Sequence, residues 1–467
     1  MESKVADLLK AFKSEMQALS CRSESDQIMW PFIQSTEVAI ENHSPGAVLS
    51  WFRRQDSEKK VFWADRERNL EIAGVNFAHK IQGDSLDELN AAINLISRVT
   101  GTPGTPGYLG GICFNTEEPF DDLWIDYHRF TFVLPMFELR TCNSGFLWLR
   151  VNTFIRDRSE LESAVGNVER EFSKLNFEPS DTPLAFSFSL ASRTDEPIKE
   201  KWVTLIEAAT HEIKSGGDLK KIVLARKTQF DLVQSGGRVS PIDLLVYFAE
   251  SDTSGFTYYI QLSEKDAFFG KSPERLYKRT GDGIFCEALA GTTRIGRSAE
   301  EELLLKNELF LSDKDSMEHS FVVNFVQDVL SRLCTDFKSS QLRDIKRHFN
   351  VQHLLQQFSG TLRPELTDYD IITSFSPTPA VGGVPTVMAL NRIDDAEAFR
   401  RGWYAGAFGM LSQEETEFCV SLRCALYKDH ALHVFTGVGI VADSDPVCEW
   451  EEMENKMSHF IQYSLCN

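Results

Sequence analysis

Strand-like and helix-like runs follow one another in this chain in no fixed alternation, and that irregular order excludes most architectures. From about residue 196 onward, KKIVLARKTQFDL, FTYYIQL, AFFGKSPERLYKR, GAFGML, EFCVSLRCALY and ALHVFTGVGIV read as strands. Helical segments interrupt them without the strand–helix–strand rhythm of a doubly wound sheet, which points to an α+β fold. KWVTLIEAATHEIKSGG has helical spacing and ends in Gly216-Gly217, a C-terminal stop. A long helical region runs from Ser298 to Leu333 with a break expected near Ser312-Asp313. The closing helix starts where Asp445 can cap and Pro446 can take the first helical position.

The first 177 or so residues mix strands and short helices and are broken at TGTPGTPGYLGG, Thr100 to Gly111. This segment reads as a turn-rich loop; without a GK[ST] ending it is not a phosphate loop. A polar link, FEPSDTPLAF into LASRTDEP, separates residues 1–195, a part not expected to fold independently, from residues 196–463.

Among 467 residues, 42% are hydrophobic and 25% charged, the balance of a soluble globular protein. The 34 phenylalanines call for broad packed layers. A net charge of −20 argues against nucleic acid or an anionic membrane surface as partner. An anionic substrate must then be drawn in by local positive charge or by a metal. The nine cysteines have neither CxxC pairing nor zinc-like spacing and read as reduced thiols of a cytoplasmic protein. No apolar run is long enough to span a membrane, and MESKVADLLKAFKSEM lacks the apolar core of a secretory signal.

Two acidic segments stand out. In DPVCEWEEMENKM, Glu449, Glu452 and Lys456 fall at i, i+3 and i+7, on one helical face. In DKDSMEH, Asp315 and Glu318 repeat the i, i+3 carboxylate pair on another helix. Each alone is most often a solvated face. Brought together in a fold, the two pairs would repel unless a divalent cation lay between them. Oxygen donors without Cys or His partners fit Mg²⁺ rather than zinc. Lys456 would grip the anion that the metal also holds.

KIVLAR from Lys221, FGKSPERL, ALAGTTR, DSMEH, PTPAVGG, RGWYAG, SLRC, TGVGIV and EWEEMENK occur in this order. Together they resemble the chorismate-utilising enzymes, and among them the isochorismate synthases. The match covers residues 196 to 463, with a weaker echo upstream in GGICFN and LWIDYHRFTFVLP. The resemblance implies two large β-sheets packed centrally with helices outside, chorismate as substrate and Mg²⁺ as cofactor. It gives Lys221 the role of base that activates water, and Glu274 that of the acid protonating the departing C4 hydroxyl. A Lys serves as base only when neutral, and Glu274 must stay protonated near neutral pH, so both pKa values have to be displaced. Aminating relatives carry Gln at the Lys221 position, so Lys argues for water as nucleophile.

The same resemblance makes Glu318 and Glu452 the principal Mg²⁺ ligands and Asp315 and Glu449 the supporting pair. It places Arg423 and Tyr404 on the enolpyruvyl carboxylate, Lys456 on the ring carboxylate, and Gly437 and Gly439 with their amides toward an anion. Gly291 and Thr292 would line the ring. Ala380 resembles isochorismate synthases, whereas salicylate-forming relatives tend to carry Thr. His319 is read as structural. One departure is Ser376, where members usually have His before PTPAVGG.

The expected function is therefore Mg²⁺-dependent isochorismate synthesis by a cytoplasmic monomer without a glutaminase subunit. The long upstream half favours menaquinone over siderophore biosynthesis. A salicylate synthase would share Lys221 and Glu274 and go on to eliminate pyruvate, which Ala380 counts against. A chorismate-binding protein without turnover is the reading that Ser376 invites.

Overall fold

Strands pair antiparallel throughout the described residues of the computed structural model, twenty of them in one hydrogen-bonded network. The structure describes residues 2–22, 29–40, 46–102, 104–117, 121–142, 146–178, 188–234, 240–251, 255–340, 343–348 and 351–461. Residues 179–187 of the expected polar link lie outside them.

The network divides at the strand Phe130–Thr141. Glu71–Gly83 takes one of its edges along the whole length. On the other edge its first part pairs with Tyr108–Ile112 and its second part with Leu147–Ile155. One wing runs in the order Phe32–Ile40, Leu147–Ile155, Phe130–Thr141, Glu71–Gly83, Lys60–Ala64 and Phe256–Ser263. It continues through Asp266–Ser272, Cys424–Lys428, Ala431–Ile440, Lys221–Gln234 and Phe188–Glu196. The second wing passes from Tyr108–Ile112 to Ala407–Leu411, Glu415–Val420, Arg275–Thr280, Gly283–Arg294 and Val351–Leu362. Cys334–Ser339 and Asp344–His348 pair along the far edge of Val351–Leu362. The two expected sheets are thus two wings of one network.

Strand alternation explains the wealth of aromatics. In Phe62-Trp63, Tyr258-Tyr259 and Phe268-Phe269 the second, first and first ring, respectively, faces the core between the wings, and each partner faces a second core. Between the wings, Trp63 stacks on Phe256 at 5.4 Å and on Phe408 at 6.2 Å, and Tyr258 on Phe408 at 5.0 Å. The second core, with Trp51, Phe52 and Phe137, is closed by the helices Glu2–Ser20, Ala47–Arg53 and Leu161–Phe172.

The Gly-rich segment requires a correction. Tyr108–Ile112 is a fully buried strand, not part of a loop. A Cβ on Gly110 would come within 1.9 Å of the Thr131 carbonyl oxygen, and one on Gly111 within 2.6 Å of the Trp403 ring. These glycines mark close approach of packed layers.

Helix ends follow the sequence signals. Lys199–Lys214 stops before Gly216, whose φ is +83°. Ser312 separates Ala299–Leu311 from Asp313–Leu333 and caps the latter, its Oγ accepting from Asp315 N at 3.1 Å. Asp445 Oδ1 accepts from Val447 N at 3.0 Å and Cys448 N at 2.9 Å, starting Pro446–Ile461. Among the described residues no helix is long and apolar enough to cross a membrane.

Candidate active site

Lys221 opens the strand Lys221–Gln234, paired on one side with Ala431–Ile440 and at its start with Gly383–Val384 on the other. It is 3% exposed. Burial holds its ammonium below the usual pKa, aided by Lys456 and opposed by Glu318, Glu274 and Glu452. Gly439 makes room for it, since a Cβ there would meet Lys221 Cε at 2.8 Å. The neighbouring Lys220 is exposed and bonds the Gly217 carbonyl at 2.9 Å, an ordinary surface charge.

Glu274 sits between the strands Asp266–Ser272 and Arg275–Thr280. Its backbone is held by Glu274 N to Ser272 Oγ at 3.2 Å and by Val420 N to its own carbonyl at 3.0 Å. Burial pushes its carboxyl up to about 7, with Lys221 pulling down and Glu287 pushing up. Lys221 and Glu274 thus act on each other's charge, and both depart from their ordinary values toward the neutral form.

The two acidic helices approach each other, Glu318 acting on the Glu449 charge. Burial first, then Glu452 and Glu318, raise the Glu449 carboxyl, against Ser444 and Lys314. Lys314 Nζ stands 3.9 Å from Glu449. Glu452 is held low chiefly by Lys456, whose Nζ lies 2.8 Å from it and donates to the Gly437 carbonyl at 2.9 Å. Asp315 backs onto Gly291 and Thr292: Thr292 N donates to Asp315 Oδ1 at 3.2 Å, and a Cβ on Gly291 would lie 3.0 Å from Asp315 Cβ. As the side chains stand, no three His, Cys, Asp or Glu among the described residues are gathered tightly enough to hold a metal ion. The donor chemistry nevertheless suits a hard cation, because half-buried and buried carboxylates that repel one another are what such an ion relieves. His319 is fully buried and its Nε2 lies 3.3 Å from the Ala288 carbonyl, consistent with a structural part.

Tyr404 is 3% exposed, stacks on Phe435 at 5.5 Å, and has its phenol pKa raised by burial. Its hydroxyl explains Gly437, where a Cβ would stand 2.5 Å away. The two glycines of TGVGIV are therefore imposed by Tyr404 and Lys221. Arg423 is half-buried at φ 46°, a left-handed conformation that costs a side-chain-bearing residue about 1 kcal/mol or more. Its carbonyl accepts from Lys271 N at 3.1 Å. Ala380 is half-buried in a loop whose Gly382 carbonyl accepts from Val223 N at 2.9 Å. Ser376 follows the helix Asp368–Phe375, its amide bonded to the Ile372 carbonyl at 3.0 Å.

Sequence reasoning missed several residues that hold this site. Arg401 donates to the Val381 carbonyl at 2.8 Å and to the Val223 carbonyl at 2.7 Å, and pairs with Glu397, which accepts from Ala225 N at 2.8 Å. The loop and the strand Lys221–Gln234 are locked through that pair. Arg226 reaches Glu454 at 2.6 Å and lies over Trp450 at 4.3 Å, fastening Pro446–Ile461 to the strand Lys221–Gln234. His353 Nδ1 meets Thr292 Oγ1 at 2.9 Å from the paired strand. Arg226 closes KIVLAR and Arg401 opens RGWYAG, and Glu397 and Arg401 have i, i+4 spacing, but nothing in the sequence named their partners across the fold.

The sequence family described as chorismate binding enzyme matches residues 18–463. The chain is 30% identical over 363 residues to the chloroplastic isochorismate synthase of Catharanthus roseus, covering 76% of this chain and 61% of the plant protein. To isochorismate synthase MenF of Haemophilus influenzae it is 29% identical over 416 residues, covering 89% and 88%. The solved structure of MenF, the menaquinone-specific isochorismate synthase of Escherichia coli, superposes with a TM-score of 0.82 at 26% identity, covering 98% of this chain and 100% of that one.

Proposed function

Because the chain belongs to the chorismate-binding enzyme family, we propose that it is an isochorismate synthase, an isomerase that replaces the C4 hydroxyl of chorismate by one at C2. The observation that carries this reading is the coupled pair Lys221 and Glu274, one held below its ordinary pKa and the other raised to about 7. Neutral Lys221 takes a proton from water as its oxygen bonds to C2. Glu274 gives its proton to the C4 hydroxyl, which leaves as water. One water enters and one departs, and the Lys and Glu are reset by a single net proton transfer.

Arg423 and Tyr404 receive the enolpyruvyl carboxylate; burial keeps the phenol protonated and thus a donor. Lys456 turns from Glu452 to the ring carboxylate, and the amides near Gly437 and Gly439 offer donors to an anionic group of the substrate. Gly291, Thr292 and Ala380 border the ring. Mg²⁺ would be held by Glu318 and Glu452 with Asp315 and Glu449 in support, and would supply positive charge to the ring carboxylate. Lys at position 221 suits water rather than ammonia, so no glutaminase partner is required; the family resemblance supports a monomer. The full-length likeness to the Escherichia coli enzyme supports a place in menaquinone biosynthesis.

Chromatography of products after incubation with chorismate, with Mg²⁺ and with chelator, tests the reading. The expected result is isochorismate only when Mg²⁺ is present. Salicylate with pyruvate, or unconsumed chorismate, would refute it.

A further inference from the structure

Arg66 lies in the turn after the strand Lys60–Ala64, in the N-terminal part of the chain, and is 6% exposed. Its guanidinium grips Glu287 of the second wing with two hydrogen bonds, Nη1 to Oε2 at 2.7 Å and Nη2 to Oε1 at 2.8 Å. The same Nη1 donates to the Pro273 carbonyl at 3.3 Å. Pro273 immediately precedes Glu274 and has no amide hydrogen with which to anchor itself.

The residue on the other side of Glu274 is tied into the same group. Arg275 donates to Glu417 at 2.7 Å and to Glu67 at 2.7 Å, and Glu67 in turn pairs with Arg66 at 3.2 Å. Arg275 stands 3.6 Å from Glu287. Both guanidinium groups lie over the Phe256 ring, at 5.6 and 5.4 Å. Between two strands, the Pro273-Glu274 step is therefore clamped from both ends by one charge network, buried except at Glu67.

We propose that Arg66 is a positioning residue for Glu274: held by Glu287, its guanidinium tethers the Pro273 carbonyl and fixes the carboxyl that follows. The Glu287 charge bears on the Glu274 carboxyl, and Arg66, with Arg275 beside it, neutralises that charge. The charged groups facing Glu274 are Lys221 on the strand Lys221–Gln234 and Glu287 on Gly283–Arg294. Without Arg66 the second would push the carboxyl further up. The inference rests on Glu274 being the acid of the proposed reaction, and gives the N-terminal part of the chain a share in catalysis.

The test compares Arg66→Met, Arg66→Lys and the double variant Arg66→Met/Glu287→Gln with the wild-type protein on chorismate and Mg²⁺, with unfolding curves for each. Arg66→Met is expected to lower kcat on the order of 100-fold while KM stays within about threefold. Arg66→Lys keeps the charge but cannot hold both acceptors, and regains part of the rate. It also carries the test if Arg66→Met does not fold. The double variant restores charge balance without the tether and should remain slow. A wild-type kcat in Arg66→Met, a loss carried by KM, or full recovery in the double variant would overturn the proposal. An inactive wild-type protein would instead sink the proposed reaction. The tether is then read from the Glu274 carboxyl band, isolated by subtracting the infrared spectrum of Glu274→Gln. Its titration should move upward in Arg66→Met, and an unmoved band overturns the coupling.

Discussion

Glu274 is kept where an acid can work but where an ordinary carboxylate would not choose to be. Its carboxyl titrates at about 7 in the fold against 4.5 when free, so the folded state binds the extra proton across that interval. Stability from this group is therefore greatest below pH 4.5 and declines as pH rises to about 7. Glu274→Gln removes the penalty, and the variant should be more stable than wild type by about 3 kcal/mol at pH 8, with no difference near pH 4. Urea unfolding at the two pH values checks this; equal curves at pH 8 would mean the carboxyl is not strained. The same variant should lose turnover, so function here opposes stability. Lys221 has the complementary bias, its ammonium disfavoured by burial. Gly437 and Gly439 complete the residue-scale picture: the chain has glycine there because Tyr404 and Lys221 fill the space.

Elements hold these residues through a few buried polar locks. The Glu397–Arg401 pair, 8% and 1% exposed, joins the PTPAVGG loop to the strand Lys221–Gln234. Arg401→Met would leave Glu397 a buried, unpaired carboxylate and should cost about 3–5 kcal/mol in denaturant unfolding. Adding Glu397→Gln should return part of that, whereas strict additivity would show that the two residues act separately. Such locks mark the limit of what the sequence discloses. The helix Lys199–Lys214, the break at Ser312 and the Asp445 cap were legible because capping is local. The acidic pairs were legible because spacing along a helix fixes a common face. The partners of Arg66, Arg226 and Arg401 were not, because register between distant strands decides them. The strand Tyr108–Ile112 was misread for the same reason: its glycines answer to Thr131 and Trp403, not to a turn.

At the scale of the whole molecule, the α+β class followed from irregular strand order, but the branching of the network did not, since no local pattern encodes a strand shared by two wings. The wings meet on Trp63, Tyr258 and Phe408. Phe408, with no exposed surface, bridges both, so Phe408→Ala should cost about 3–5 kcal/mol. Calorimetry should show one transition moved down as a unit; a second, separate transition would mean that the wings melt independently. The shared strand Phe130–Thr141 has a further consequence for the newborn chain. Its neighbour Tyr108–Ile112 is made early, but Ala407–Leu411, which continues the wing, is made near the end. Until then Trp63 and Phe132 have no Phe408 and Phe418 to lie against. A chain halted on the ribosome before Ala407 carries uncovered aromatic faces, the condition that recruits chaperones and seeds aggregation. Synthesis, not the finished fold, is where this protein is most vulnerable.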